Sequence, residues 1–335
     1  MNVTWKARKI LVAVAAAVVA AGSAAQPAQS AEEAVLEWNA LATQAMLTFA
    51  AANPPGLPPN RDSRLYAMTF VAMHDALNAI HGRYRMYACD ASDPGASPVV
   101  AVATAAHAVL VAAFPPAAPA LDAAYYARMR DELRGTHGVR GFLVGQRCAQ
   151  AMLERRRDDG ADLAQVPYVP GPNPGDYQFT FPFDQPGPAY GFVGDPNWGS
   201  VRPFVLASAA QFRSAPPYAV GSAAYASDVN EVQVRGGMAG SNRTPDESEI
   251  ARFWIENSPL GWNRIARTVA AARNLDAWEL ARLLALLQLA EADAYLASFE
   301  TKFHYRFWRP ITAIHLANDD GNAATVADPT WLPFD

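Results

Sequence analysis

Apolar residues recur at helical spacing along most of the chain, and no strand-like alternation of useful length appears. Leu36, Leu41, Met46 and Phe49 form one stripe between Glu32 and Ala51. Between Arg61 and Ile80, Leu65, Met68, Val71, Ala72, Ala76 and Ile80 return at three- and four-residue steps, the repeat of one helix face. PPGLPP at Pro54–Pro59 separates the two helices, because proline fixes φ and carries no amide donor. Further helices are predicted at Pro98–Phe114, Leu121–Arg134 and Val139–Arg157. Later, Gly221–Val234 runs into the stop signal Gly236-Gly237. TPDESEIARFW then gives the clearest helix start, with Thr244 as N-cap, Pro245 at the first position and Glu247 closing a capping box. A helix over Asn263–Ala272 follows. The longest begins near Asp276 and carries Leu280, Leu283, Leu284, Leu287, Ala290, Ala294 and Phe299. The pattern predicts an all-α fold.

Val166–Pro203 breaks the pattern. Nine prolines alternate there with Tyr168, Tyr177, Phe179, Phe181, Phe183, Tyr190, Phe192 and Trp198. Proline at that density excludes a regular helix or a central strand, and so many aromatics predict an ordered loop laid over a surface rather than a tether. At the N-terminus, Lys6, Arg8 and Lys9 precede the twelve-residue apolar run ILVAVAAAVVAA and small-residue cleavage sites near Ala25 and Ala28-Gln29-Ser30. That is the layout of a signal peptide over residues 1–30, and twelve residues are short for a bilayer span. The expectation is a secreted or periplasmic protein with no membrane span once the signal is removed. A net charge of −5 over 335 residues argues against nucleic-acid binding. Cys89 and Cys148 could pair in an oxidising compartment or remain buried thiols; the spacing leaves both open.

The unusual chemistry lies in KFHYRFWRP, Lys302 to Pro310. Lys302 and Arg309 stand seven residues apart, nearly two helical turns, which would put both on one face. Pro310 ends the helix and pushes Arg309 towards extended backbone. An ammonium and a guanidinium converging among Phe303, Phe307 and Trp308 suit an oxyanion. The same cations also suit an ordinary helix C-terminus, and spacing alone leaves both readings standing.

The Lys–six residues–Arg-Pro pattern resembles the first motif of the vanadium-dependent haloperoxidases, relatives of the type-2 phosphatidic-acid phosphatases. WGSVRPFVL (Trp198–Leu206), YASDVNEVQVRGG, SNRTPDESEIARFW, WNRIA (Trp262–Ala266) and MHDALNAI (Met73–Ile80) extend the resemblance over nearly all of the chain after the signal. It implies helical bundles: a first four-helix-type bundle over 31–165, the aromatic loop over 166–203, and the start of a second bundle over 204–335. It also implies that Lys302 and Arg309 contact the oxygens of vanadate or phosphate, and that vanadate-bound peroxide oxidises halide to hypohalous acid. Peroxide and halide would be the small-molecule substrates. The alternatives are a phosphomonoesterase acting on phosphate esters and a non-catalytic helical remnant.

The chain departs from the family pattern in one respect. Neither the Pro-Ser-Gly-His motif nor the later Ser-Arg motif with its histidine occurs in it. The vanadium-ligating histidine is therefore missing, no residue here is assigned as a metal ligand, and the expectation is a chain cut short at Asp335 and inactive alone. The Leu280–Leu287 stripe is then expected to lie uncovered and to invite self-association. His304 and His315 match no family position. His74, Asn78 and His81 share a helical face but lack acidic companions at a metal-binding spacing, which favours a packing role. Glu291 and Asp293 are expected on a solvated surface. Asn242-Arg243-Thr244 fits a glycosylation sequon, although Thr244 is better explained as a helix cap.

Overall fold

The computed structural model describes residues 29–54, 56–164 and 166–334. The predicted signal sequence lies outside them except for its last two positions, Gln29 and Ser30, and Asp335 lies outside as well. Among the described residues there is no strand, only two isolated bridges. Ten α-helices account for the architecture: α1 (Ala31–Ala52), α2 (Pro59–Ile80), α3 (Pro98–Ala113), α4 (Ala118–Glu132), α5 (Thr136–Arg156), α6 (Ala223–Gly236), α7 (Pro245–Trp254), α8 (Ser258–Arg273), α9 (Ala277–Tyr305) and α10 (Pro310–His315). No single helix among these residues is long and apolar enough to cross a membrane.

Local chemistry sets the helix starts. Ser30 with Glu33, Thr244 with Glu247 and Asp276 with Glu279 each form a full capping box at α1, α7 and α9, satisfying amide donors that a helix start leaves free. Thr244 thus has the capping role its sequence context predicted. α2 forms the axis of the bundle and is buried from Leu65 to Ile80. α3 crosses α5 closely because α5 offers glycine at the contact. A Cβ on Gly141 would come within 2.6 Å of the Ser97 carbonyl, and one on Gly145 within 2.6 Å of the Ala101 carbonyl. Cys89 and Cys148 form a disulfide with Cα atoms 4.8 Å apart, tying the segment after α2 to α5.

Two expectations are corrected here. The leucine stripe of α9 is not left uncovered: Leu280 and Leu284 are at most 1% exposed and join Tyr66, Phe70 and Leu77 of α2 in one core. The long helix packs against α1, α2 and α8, and the exposed leucine is Leu286, on its opposite side. Asp293 is not a solvated surface residue either. It is buried and accepts the backbone N–H groups of Phe204, Val205 and Leu206 at 2.7–2.9 Å, so its charge fixes the start of the chain's return across α9.

A compact ionic knot locks the same region. Asp159, after α5, accepts from Arg156 at 2.7 Å and from Arg64 of α2 at 2.8 Å. Both partners of the Arg156–Asp159 pair are at most 2% exposed. Arg156 also donates to the carbonyls of Arg202 and Pro203 and stacks 3.9 Å over Phe204.

Candidate oxyanion site

Lys302 lies in the last turn of α9, which stops at Tyr305 because Arg306 adopts a left-handed conformation with φ of 50°. The Arg306 N–H still reaches the Lys302 carbonyl at 2.9 Å. After this reversal, Arg309 takes the N-cap position of α10, with Pro310 as the first helical residue. The two cations therefore meet across a helix–turn–helix corner and not along one continuous helix face. The sequence spacing put the pair on one helix face, a geometry the chain does not use.

The aromatic loop holds this corner from outside. Tyr177 N–H donates to the Arg306 carbonyl at 2.7 Å, and Trp308 N–H donates to the Gly175 carbonyl at 2.9 Å. The bridge between Asp176 and Phe307 lies between them. Tyr177 is buried, and the Arg309 guanidinium sits 5.9 Å from its ring centre. The loop is thus built into the site's scaffold, and its aromatics wall one of the cations.

Lys302 and Arg309 line a cavity of about 550 Å³. Its remaining walls are mostly apolar, with Val232 of α6, Ile255, Ile311, Trp331, Pro333 and Phe334. The end of the described chain forms the roof. Met238 N–H donates to the Leu332 carbonyl and Phe334 N–H to the Gly236 carbonyl, both at 2.8 Å. Trp331 Nε1 donates to the Gln233 carbonyl, and Phe334 lies under the guanidiniums of Arg243 and Arg252.

Neither Lys302 nor Arg309 pairs through its side chain with a carboxylate among the described residues. Lys302 has ring faces instead, its Nζ lying 5.5 Å from the Phe299 centroid and 5.3 Å from that of Phe303. Although part of its side chain reaches solvent, surrounding protein draws water from the ammonium. That desolvation, followed by the nearby charge of Arg309, lowers its pKa from the usual lysine value. A corner carrying two like charges and no counter-charge is electrostatically incomplete, and a tetrahedral oxyanion would complete it.

The other sequence candidates fall elsewhere. No histidine lines the cavity among the described residues. His304 is exposed at the end of α9, and His315 uses Nε2 to donate to the Trp331 carbonyl at 2.7 Å. His74 and Asn78 are buried in α2, where Asn78 bonds the His74 carbonyl and the Tyr84 amide, while His81 is exposed against Trp278. No group of three or more metal-binding side chains exists among the described residues.

Sequence reasoning missed a buried polar seam on α9. Gln288, Glu291 and Tyr295 continue the line of Leu280 and Leu284 at three- and four-residue steps, opposite Asp62 and the start of α8. Asn257 donates to Asp62 at 2.9 Å, and Ser258 and Tyr295 share a hydroxyl contact of 2.5 Å. Burial pushes Asp62 up to about 6 and Glu291 up to about 7. The signal was available: polar residues continue a buried stripe at unbroken helical register.

Residues 282–335 match the family model described as the vanadium chloroperoxidase (VCPO) second helical-bundle domain, a span that contains both cations. Over 108 residues the chain is 29% identical to the vanadium chloroperoxidase of Curvularia inaequalis, covering 28% of this chain and 17% of that protein. A bacterial vanadium-dependent iodoperoxidase shares the fold with a TM-score of 0.70 at 22% identity, over 88% of this chain and 74% of the other. The apo form of a bacterial vanadium-dependent chloroperoxidase gives a TM-score of 0.59 at 17% identity, over 78% and 66%. The chain thus spans only part of the length of these relatives. Along most of the chain the fold is similar to that of bacterial vanadium-dependent haloperoxidases, and the last 54 residues (282–335), which carry both cations, are similar to the second helical-bundle domain of vanadium chloroperoxidase.

Proposed function

We propose that the corner between α9 and α10 is the oxyanion-holding part of a vanadium haloperoxidase-type site. The reading rests on one observation: Lys302 and Arg309, brought together by the reversal at Arg306, line a shared cavity without a carboxylate partner among the described residues. Their chemistry fits the group the family implies. Arg309 offers a flat fork of donors to two oxygens of vanadate, and Lys302 offers a point charge to another. When bound, vanadate would supply the electrophilic centre that activates peroxide towards halide. The chain's own part is to bind the anion, orient it and limit access of water. Ile311, Trp331 and Phe334 keep the walls apolar, which strengthens each charged contact. A lysine with a lowered pKa also holds its proton less tightly and can pass it to an oxygen gaining charge.

Among the described residues no side chain in this cavity is placed to bond vanadium or attack phosphorus. The 335-residue chain is therefore expected to bind oxyanions weakly and to turn over little. Calorimetric titration with orthovanadate tests the reading. Lys302→Ala and Arg309→Ala should each weaken binding roughly 10-fold or more, the scale of a lost charge-assisted contact. Equal affinity in wild type and both variants would move the site elsewhere. Export of the protein belongs to this proposal as an expectation.

A further inference from the structure

A second cavity of about 550 Å³ opens on the opposite side of α9, and it shares no lining residue with the Lys302–Arg309 site. Val71 of α2, Met86, Phe204 and Leu289 of α9 give it an apolar floor. Three guanidiniums from distant parts of the chain also line it: Arg85 after α2, Arg155 near the end of α5, and Arg282 of α9. Several arginines elsewhere in the molecule find carboxylates, as Arg61 does on Asp195, Arg147 on Asp90 and Arg213 on Glu300. These three do not, among the described residues. Arg155 instead lies 4.5 Å from the ring centre of Tyr87, and Arg282 lies 4.8 Å from that of Tyr84.

The neighbouring acids are already committed. Asp75 accepts the N–H groups of Tyr87, Ala88 and Cys89 as well as His74 Nδ1. Asp293 is held by three amides of the 204–206 segment. Asp276 and Glu279 engage Arg83. His74, buried in the cavity wall, has Nδ1 on Asp75 and no protein partner at Nε2 among the described residues. Ring stacking holds the cations in place without neutralising them.

The geometry points to a second binding site, for an organic anion that carries a phosphate- or sulfonate-like head on an aromatic or acyl body. The head would take the forks of Arg155 and Arg282, with Arg85 at hand, and the body would cover the apolar floor. The volume suits a ligand of that size. An inorganic ion alone would leave the floor wet, and a neutral apolar molecule would leave three cations uncompensated.

The test uses the 335-residue chain carrying Lys302→Ala and Arg309→Ala, so that the first site cannot contribute. Calorimetry with 2-naphthyl phosphate should show binding at least 10-fold tighter than with 2-naphthol or inorganic phosphate. Adding Arg155→Gln and Arg282→Gln should weaken it 10-fold or more, with circular dichroism reporting the fold. Should that variant not fold, Leu286→Trp, at an exposed lining position, should reduce affinity several-fold by narrowing the mouth. The inference is overturned by no binding of 2-naphthyl phosphate, by naphthol binding as tightly, or by affinity that neither set of substitutions alters.

Discussion

Arg156 and the Lys302–Arg309 pair use the same kind of charge in opposite ways. Arg156 is almost wholly buried, and its guanidinium is matched by Asp159 and by two backbone carbonyls. Burial lowers its pKa, and the Asp159 charge acts against that loss. Lys302 and Arg309 face a cavity with aromatic walls and no matching acid. A buried cation paired with an acid holds structure together, and removing its partner strands a charge in low dielectric. A cation left unmatched beside a cavity adds little to folding and keeps its electrostatic capacity for something that binds. The difference between the two regions lies in the pairing, since both are rich in arginine and aromatics.

The largest expected effect comes from breaking the matched region. Asp159→Ala leaves Arg156 and Arg64 without their shared acid and should cost about 3–5 kcal/mol in urea unfolding. A loss below about 1 kcal/mol would mean that the knot is ornamental and the comparison fails on its structural side.

The buried seam on α9 sharpens the contrast from the acid side. Glu291 is raised from an ordinary 4.5 to about 7 and Asp62 from 3.8 to about 6, both chiefly by burial. Between the unfolded and folded values only the folded state keeps its proton. Stability is therefore fully present below about pH 4, falls as pH rises through 6 and 7, and is lost above them. Glu291→Gln should remove about half of that slope, the rest belonging to Asp62, and gain on the order of 2–3 kcal/mol at pH 8 relative to pH 4. Melting curves across this range that are parallel for wild type and variant would contradict the assignment.

The smallest effect on stability is expected at the Lys302–Arg309 corner. Lys302→Ala and Arg309→Ala should each leave unfolding within about 0.5 kcal/mol of wild type, because only long ring contacts and no ion pair are lost, while a repulsion is relieved. A cost like that of Asp159→Ala would make these cations structural.

Much of this was readable from the residues. Helix positions followed from apolar spacing and caps, and Thr244, Asp276 and Pro310 act as their types predict. The pair Lys302 and Arg309 was legible as a motif. Its geometry was not, because the reversal depends on Arg306 adopting a left-handed conformation that arginine does not advertise. The cover provided by Tyr177 and Phe334 was hidden for another reason: it comes from contacts between segments far apart in the chain, and periodicity reports only which face is buried. For the same reason Asp293 read as a surface acid, although three backbone amides 87–89 residues away satisfy it.

The most direct test of the unmatched pair as an oxyanion site is calorimetric titration of wild type and the Lys302→Ala/Arg309→Ala double variant with orthovanadate at one pH and salt concentration. The account predicts measurable, salt-sensitive binding by wild type, and binding by the double variant at least 10-fold weaker with unfolding unchanged. Equal affinities in the two proteins would contradict it.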